Sequence, residues 1–204
     1  MLPHPLENNE GLPADVSLYL VRLEAFRIGD SPPAPLLGVI AGPNPETKQI
    51  GDQKKELAER HRLRLEFWTG LLERAKKRTS LHASISPSTQ NYISAGAGKY
   101  GLSFWYAIRL KDSGVGLFID QGDATTNKRI FDQLHTYKEG VETSFGGSLE
   151  WVESDQRRSY CVGHRLDKGS LQDTYRWPEI QDAMVDAMIR LDNALRPHVK
   201  SLHT

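Results

Sequence analysis

Four groups of residues in this sequence have the types and spacing to do chemistry. The first is Gly96-Ala97-Gly98-Lys99-Tyr100-Gly101, which matches G-x-G-x-x-G letter for letter. A dinucleotide site needs a helix directly after those glycines, because the helix N-terminus holds the pyrophosphate. Here Leu102-Ser103-Phe104-Trp105-Tyr106 follows, which reads as a strand. A Walker-type phosphate loop fails because Tyr100 stands where Ser or Thr must follow Lys99. A kinase-type loop lacks its H-R-D and D-F-G companions. The expectation is a tight turn with close backbone approach.

The second group is acidic. Asp120-Gln121-Gly122-Asp123 falls between a strand and a helix, with Lys128 following. Such a set suits metal-assisted phosphodiester chemistry, and it equally suits an acidic turn at the positive end of a helix. Glu150 and Glu153 flank Trp151 on a strand, where positions i and i+3 face opposite ways. Glu46-Thr47-Lys48 has the letters of a restriction-nuclease E-x-K but lies in a proline-rich linker. The seven histidines and the single Cys161 show no metal-ligand spacing, and no G-x-S-x-G is present. We therefore expect no catalytic residue, no metal and no cofactor.

The third group is basic: Arg74, Lys76, Lys77, Arg78, Lys99, Lys128, Arg157 and Arg158 are the expected nucleic-acid contacts. Arg165 and Lys168 extend the same candidate face. Such residues also form ordinary solvated surface. The fourth group is aromatic. Tyr92, Tyr100, Trp105 and Tyr106 have π faces that stack on bases, and also the bulk that fills a core.

These groups must be positioned by a chain of 204 residues, long enough for one domain or one domain plus part of another. Lys+Arg and Asp+Glu both number 26, so the formal net charge of zero argues against a chain-wide polycation but allows a local basic face. With 38% hydrophobic and 25% charged residues the composition is that of a globular protein. One cysteine precludes an internal disulfide and points to a reducing, cytoplasmic setting. No apolar run approaches the roughly 20 residues of a membrane span, and the N-terminus lacks a signal-peptide core.

Residues 1–15, rich in proline and polar groups, read as a loose segment. Val16–Ile28 and Leu36–Ile40 read as two strands around Gly29-Asp30-Ser31-Pro32-Pro33, and together they bury little. A helix is expected from Gln53 to Lys77. Its apolar arc of about 200° carries Leu57, Leu63, Leu65, Phe67, Trp68, Leu71, Leu72 and Ala75. Strands at Asn91–Ser94 and Leu102–Leu110 follow, then a hairpin turn Lys111-Asp112-Ser113-Gly114 and the strand Val115–Asp120. One helix, capped by Thr125 or Thr126 and buried through Ile130, Leu134, Tyr137, Val141 and Phe145, ends at Gly146-Gly147. Strands Leu149–Glu153 and Ser159–Arg165 come next. The last helix opens at Pro178, buries Ile180, Met184, Met188, Leu191 and Leu195, and stops at Pro197. The expected class is α+β, an antiparallel sheet of about five strands with three helices in the order α-β-β-β-α-β-β-α, occupying residues 46–204.

Arg27-Ile28-Gly29-Asp30-Ser31-Pro32-Pro33-Ala34-Pro35 and Pro43-Asn44 resemble a junction at the end of a restriction-endonuclease-like domain in bacterial and archaeal proteins. The domain after that junction is an uncharacterised C-terminal domain. This chain resembles it through Phe67-Trp68, Asn91-Tyr92, Gly96, Gly98, Leu117, Ile119, Asp120, Asn127-Lys128, Phe131, Leu134, Lys138, Glu142, Phe145-Gly146 and Leu149-Glu150-Trp151. The resemblance implies that residues 16–45 are the two-strand remnant and junction of an upstream nuclease-like domain. The family's nuclease acids and lysine lie upstream of that junction, where this chain has only 26 residues and no such motif.

The functional expectation is a non-catalytic accessory domain of a restriction-type nuclease or defence protein, contacting DNA or a nuclease subunit. Two alternatives stand beside it. One is an interaction or dimerisation module self-associating through its edge strands; the other is a weak metal-dependent phosphodiesterase built on Asp120, Asp123 and Lys128.

Overall fold

The structure is a computed structural model that describes residues 19–27, 29–41, 45–153 and 159–202. The chain divides into two compact units, Met1–Ala58 and Glu59–Thr204.

The first unit is built on a hairpin of β1 (Leu20–Phe26) and β2 (Ala34–Ala41), paired antiparallel. Gly29, at φ 58°, sits in the connection, where a left-handed backbone costs glycine little. The expected first strand is shorter than Val16–Ile28; residues 16–18 and 28 lie outside the described residues. Helix α1 (Pro45–Lys76) begins eight positions before the expected Gln53, with a proline at its first position. Glu46-Thr47-Lys48 therefore lies in the first turn of a helix. The boundary between the units falls within α1.

The second unit is an α+β domain. Strands β3 (Tyr92–Gly96), β4 (Leu102–Ile108), β5 (Ser113–Ile119), β6 (Glu150–Glu153) and β7 (Tyr160–Leu166) form one sheet in the order β3-β4-β5-β7-β6, every pair antiparallel. Alternation decides which face each residue takes. Leu102, Phe104 and Tyr106 point into the core with Val115, Leu117, Ile119 and Val162, whereas Ser103, Trp105 and Phe118 point away.

All helices of this unit contribute to that single core. From α1 come Phe67, Trp68, Leu71, Leu72 and Ala75; α4 (Trp177–Ser201) adds Ile180, Met184, Met188, Leu191 and Leu195. Each Leu, Ile, Met or Phe among them, fully buried, stabilises by roughly 1.5–3 kcal/mol. Leu57 and Leu65, expected on the same α1 face, are exposed. Leu65 lies two positions before Phe67, about 200° round the helix, so it points the other way.

The expected single middle helix is two, α2 (Ala124–His135) and α3 (Lys138–Phe145). The chain leaves helical geometry at Tyr137, with φ −98° and ψ 11°, and its N–H bonds three residues back to Leu134. The break shifts the helical phase, so Ile130, Leu134, Val141 and Phe145 are buried while Tyr137 is exposed and stacks on His198 at 4.4 Å. Asp123, not Thr125 or Thr126, is the N-cap of α2, accepting the Thr126 N–H at 2.7 Å. The β4–β5 turn is Arg109–Asp112, closed by the Arg109 N–H on the Asp112 carbonyl; Ser113 and Gly114 belong to the strand. Pro197 does not stop α4, which runs on to Ser201. Val199 and Leu202 are buried in the core and hold the last turn past the missing proline donor. Among the described residues no helix is long and apolar enough to cross a membrane.

Candidate nucleic-acid interface

Among the described residues the helices α1 to α4 of this unit lie on one side of the five-stranded sheet, and its other face carries none of them. Antiparallel sheets tolerate such a face when its side chains suit water. This one is built around Trp105 at the centre of β4. Registers across the sheet align Ser94, Trp105, Gly116, Gly163 and Glu150 in one row. The two glycines make a floor for the indole. A Cβ built on Gly116 would fall 2.5 Å from Cε2 and 2.8 Å from Nε1 of Trp105, and one on Gly163 would fall 3.5 Å from Cζ2. Gly114 also meets the ring, at 3.8 Å from Cζ3. The indole thus extends from its own strand across β5 towards β7, and the side away from the floor is partly open to solvent.

Two further aromatics share this face. Tyr92 pairs with Ala107, two residues from Trp105, and Phe118 pairs with Ser103, two residues from Trp105 the other way. Tyr92, Trp105 and Phe118 therefore form a diagonal line over β3, β4 and β5, with diagonal neighbours about 7–8 Å apart. Tyr92 is 55% exposed and Phe118 39%. Tyr106 points the other way into the core, and Tyr100 is exposed in the β3–β4 turn.

Charge gathers at the end of β4 and on β7 and β6. Arg109, Arg165 and Glu150 line one hollow of about 190 Å³ with Trp105 and Cys161. Burial pushes the Cys161 thiol up to about 11, against a hydrogen bond from Trp105; nearby Glu150 pushes it further up and Arg109 pulls it down. The thiol is thus protonated at neutral pH.

The expected basic contacts do not converge. Arg74 forms an ion pair with Asp182 at 2.8 Å and Arg78 with Asp186, both on α4. Lys76 and Lys77 are exposed at the end of α1. Lys99 donates to the Leu202 carbonyl at 3.0 Å, twenty residues and about 30 Å along α4 from Asp182. Lys128 reaches Asp132 at 3.2 Å on the outer side of α2. Arg157 and Arg158 lie outside the described residues. Among the described residues, Arg165 is the basic residue singled out from sequence that the fold brings to the open face.

At the β5–α2 corner the acids make local bonds. Asp120 Oδ1 accepts from the Gly122 N–H at 2.9 Å and Asn127 Nδ2 at 3.3 Å, while Asp123 caps α2 and is held below the usual carboxylate range by Thr126. Buried Asn127 accepts the Gln121 N–H at 2.7 Å, tying the corner together. No group of three or more His, Cys, Asp or Glu is arranged to hold a metal among the described residues. The glycine run is a β3–β4 hairpin connection, closed by the Ala97 N–H on Leu102 and by glycines at φ 87° and 71°.

Sequence reasoning missed Phe118 and Arg109, and weighed Glu150 only as half of a carboxylate pair with Glu153. A usable signal was present: glycines at 114, 116 and 163 inside strands mark places where something approaches the backbone closely. Which aromatic approached them required the register.

The model of a family described as "Domain of unknown function (DUF4268)" matches residues 63–199, about two thirds of the chain and nearly all of the second unit, so the chain belongs to that family. No curated protein and no solved structure matches the chain.

Proposed function

We propose that this DUF4268 protein is a non-catalytic binding module that holds a single nucleic-acid strand on the open face of its sheet, as the accessory domain of a restriction-type nuclease or defence protein. The observation that carries the reading is the Tyr92–Trp105–Phe118 diagonal over a glycine floor. Open antiparallel sheets bearing two or three aromatics stack successive bases, and base–aromatic stacking accepts any sequence because every base has a π face. Arg165 supplies positive charge for phosphates beside that line, while Arg109, bordering the same hollow, is ion-paired with Asp112. Support for the nuclease setting is the resemblance of Arg27–Pro35 and the domain after it to nuclease-associated proteins. Support for a non-catalytic role is the use of Asp120, Asp123 and Asn127 in turn and cap bonds.

The test is anisotropy titration of labelled single-stranded and duplex DNA at low and moderate salt. Micromolar binding that favours single strands, weakens with salt and is lost in a Trp105→Ala, Phe118→Ala double variant is the expected result. Absence of binding at tens of micromolar protein would overturn it.

A second reading, self-association, is favoured by the hairpin. Val21, Leu23 and Ala25 pair with Val39, Leu37 and Pro35, giving β1–β2 one wholly apolar face, with Leu37 70% and Val39 67% exposed. Isolated two-stranded hairpins are marginal in water, and such a face suits a second copy. Light scattering on the intact chain and on Leu37→Asp decides it: a dimer lost in the variant supports the reading, and a monomer in both refutes it.

A further inference from the structure

Glu150 stands out on the open face, an acid in the same row as the central stacking ring and beside two arginines. We propose that Glu150 makes the Trp105 position selective for guanine, an inference that rests on the strand-binding reading above. Registers place Glu150 directly opposite Gly163, the glycine over which the indole Cζ2 extends. Side chains opposite one another on neighbouring strands have Cβ positions about 5 Å apart. The carboxylate therefore lies within one base width of the exposed indole and borders the same hollow. A base stacked on Trp105 presents its edge to Glu150, while Arg165, two residues from Gly163 along β7, is placed for the sugar–phosphate chain.

The chemistry at that edge separates the bases. An ionised carboxylate offers two acceptors and no donor. Guanine alone presents two adjacent donors, N1–H and the N2 amine, which match both oxygens. Adenine and cytosine each place one amine beside a ring acceptor, so one oxygen meets a lone pair. Thymine sets its single N–H between two carbonyls and is the poorest match. Bidentate recognition of a base edge is worth roughly ten- to a hundredfold against the wrong base. Stacking supplies affinity at all three aromatics, and Glu150 adds selectivity at one.

The test uses the intact chain and end-labelled oligothymidylates carrying one central guanine, adenine, cytosine or inosine. Guanine is expected to bind roughly tenfold more tightly than adenine, with inosine, which lacks the N2 amine, in between. Glu150→Gln replaces one acceptor with a donor, so the preference should collapse to about twofold while thymine-only affinity is kept or raised. Glu150 is exposed, so the variant's fold is not at stake, and Trp105→Phe, which keeps a ring, should weaken all oligonucleotides together. Equal binding of guanine and adenine, or a preference that survives Glu150→Gln, overturns the guanine assignment and leaves the strand-binding face standing. Failure of every oligonucleotide to bind overturns both. Binding of an arginine-rich peptide through Trp105 and Glu150, with oligonucleotides ignored, also overturns it, because the same acid would then be reading a cation.

Discussion

The indole of Trp105 occupies the space that a side chain at Gly116 would fill, with Cε2 2.5 Å and Nε1 2.8 Å from where that Cβ would be. The two residues face each other in register across β4 and β5. The absence of one side chain creates the platform on which the other lies, so the pair is a single device whose halves fail together.

Gly116→Ala should therefore displace the ring. A contact under 3 Å with a bulky indole cannot relax cheaply, and overpacking of this kind costs about 1–3 kcal/mol. Urea denaturation should show that loss, and oligonucleotide affinity should fall with it. Gly163→Ala, whose Cβ would meet Trp105 at an ordinary 3.5 Å, should be milder in both measurements.

Alanine at Tyr92, Trp105 or Phe118 should each weaken single-strand binding by about 1–3 kcal/mol without unfolding the domain. Tyr106→Phe is the internal control. Its ring is buried on the opposite face and its hydroxyl has no hydrogen-bond partner among the described residues. Removing that hydroxyl should leave binding unchanged and raise the urea midpoint slightly, since a buried unsatisfied group costs about 1–3 kcal/mol.

Arg74→Ala and Arg78→Ala should leave oligonucleotide affinity and its salt slope nearly untouched, because Asp182 and Asp186 already neutralise both guanidinium groups. Stability should change by about 1 kcal/mol or less, as for other partly exposed pairs. Arg165→Ala, on the open face, should weaken binding and reduce the salt slope by about one.

Stability should fall as the pH drops from 7 to 5, through His82. Its ring is buried against Tyr106, and Nε2 lies 3.3 Å from the Phe104 carbonyl, which can only accept, so Nε2 carries the proton of the neutral ring. Burial pushes its pKa down to about 4 from 6.5. Between those values the unfolded chain binds a proton that the folded chain does not, so stability rises with pH across the window. Roughly 2 kcal/mol should separate pH 5 from pH 7, and His82→Gln should flatten that dependence even if it lowers stability at both. An unaltered slope in the variant would remove His82 as the cause.

Periodicity in the sequence was enough to determine the α+β class, the sites of the seven strands among the described residues and the buried stripe of the last helix, because burial of one face writes a period of two or 3.6 into the residues themselves. It also indicated that Gly96–Gly101 makes a turn. It misjudged features that local pattern does not carry: the break at Tyr137, the continuation of α4 past Pro197, and the exposure of Leu57 and Leu65 all depend on what packs alongside. The candidate site is almost wholly tertiary. Tyr92, Trp105, Phe118, Glu150 and Arg165 come from five strands and Arg109 from the β4–β5 turn, and only the register across β3-β4-β5-β7-β6 sets them on one face. Arg74, Lys99 and Lys128, which look alike in the sequence as free cations, are held against different partners by the fold. Pairing between distant strands is a property of the whole sheet, and a slip of one residue anywhere in it would have turned the aromatics inward.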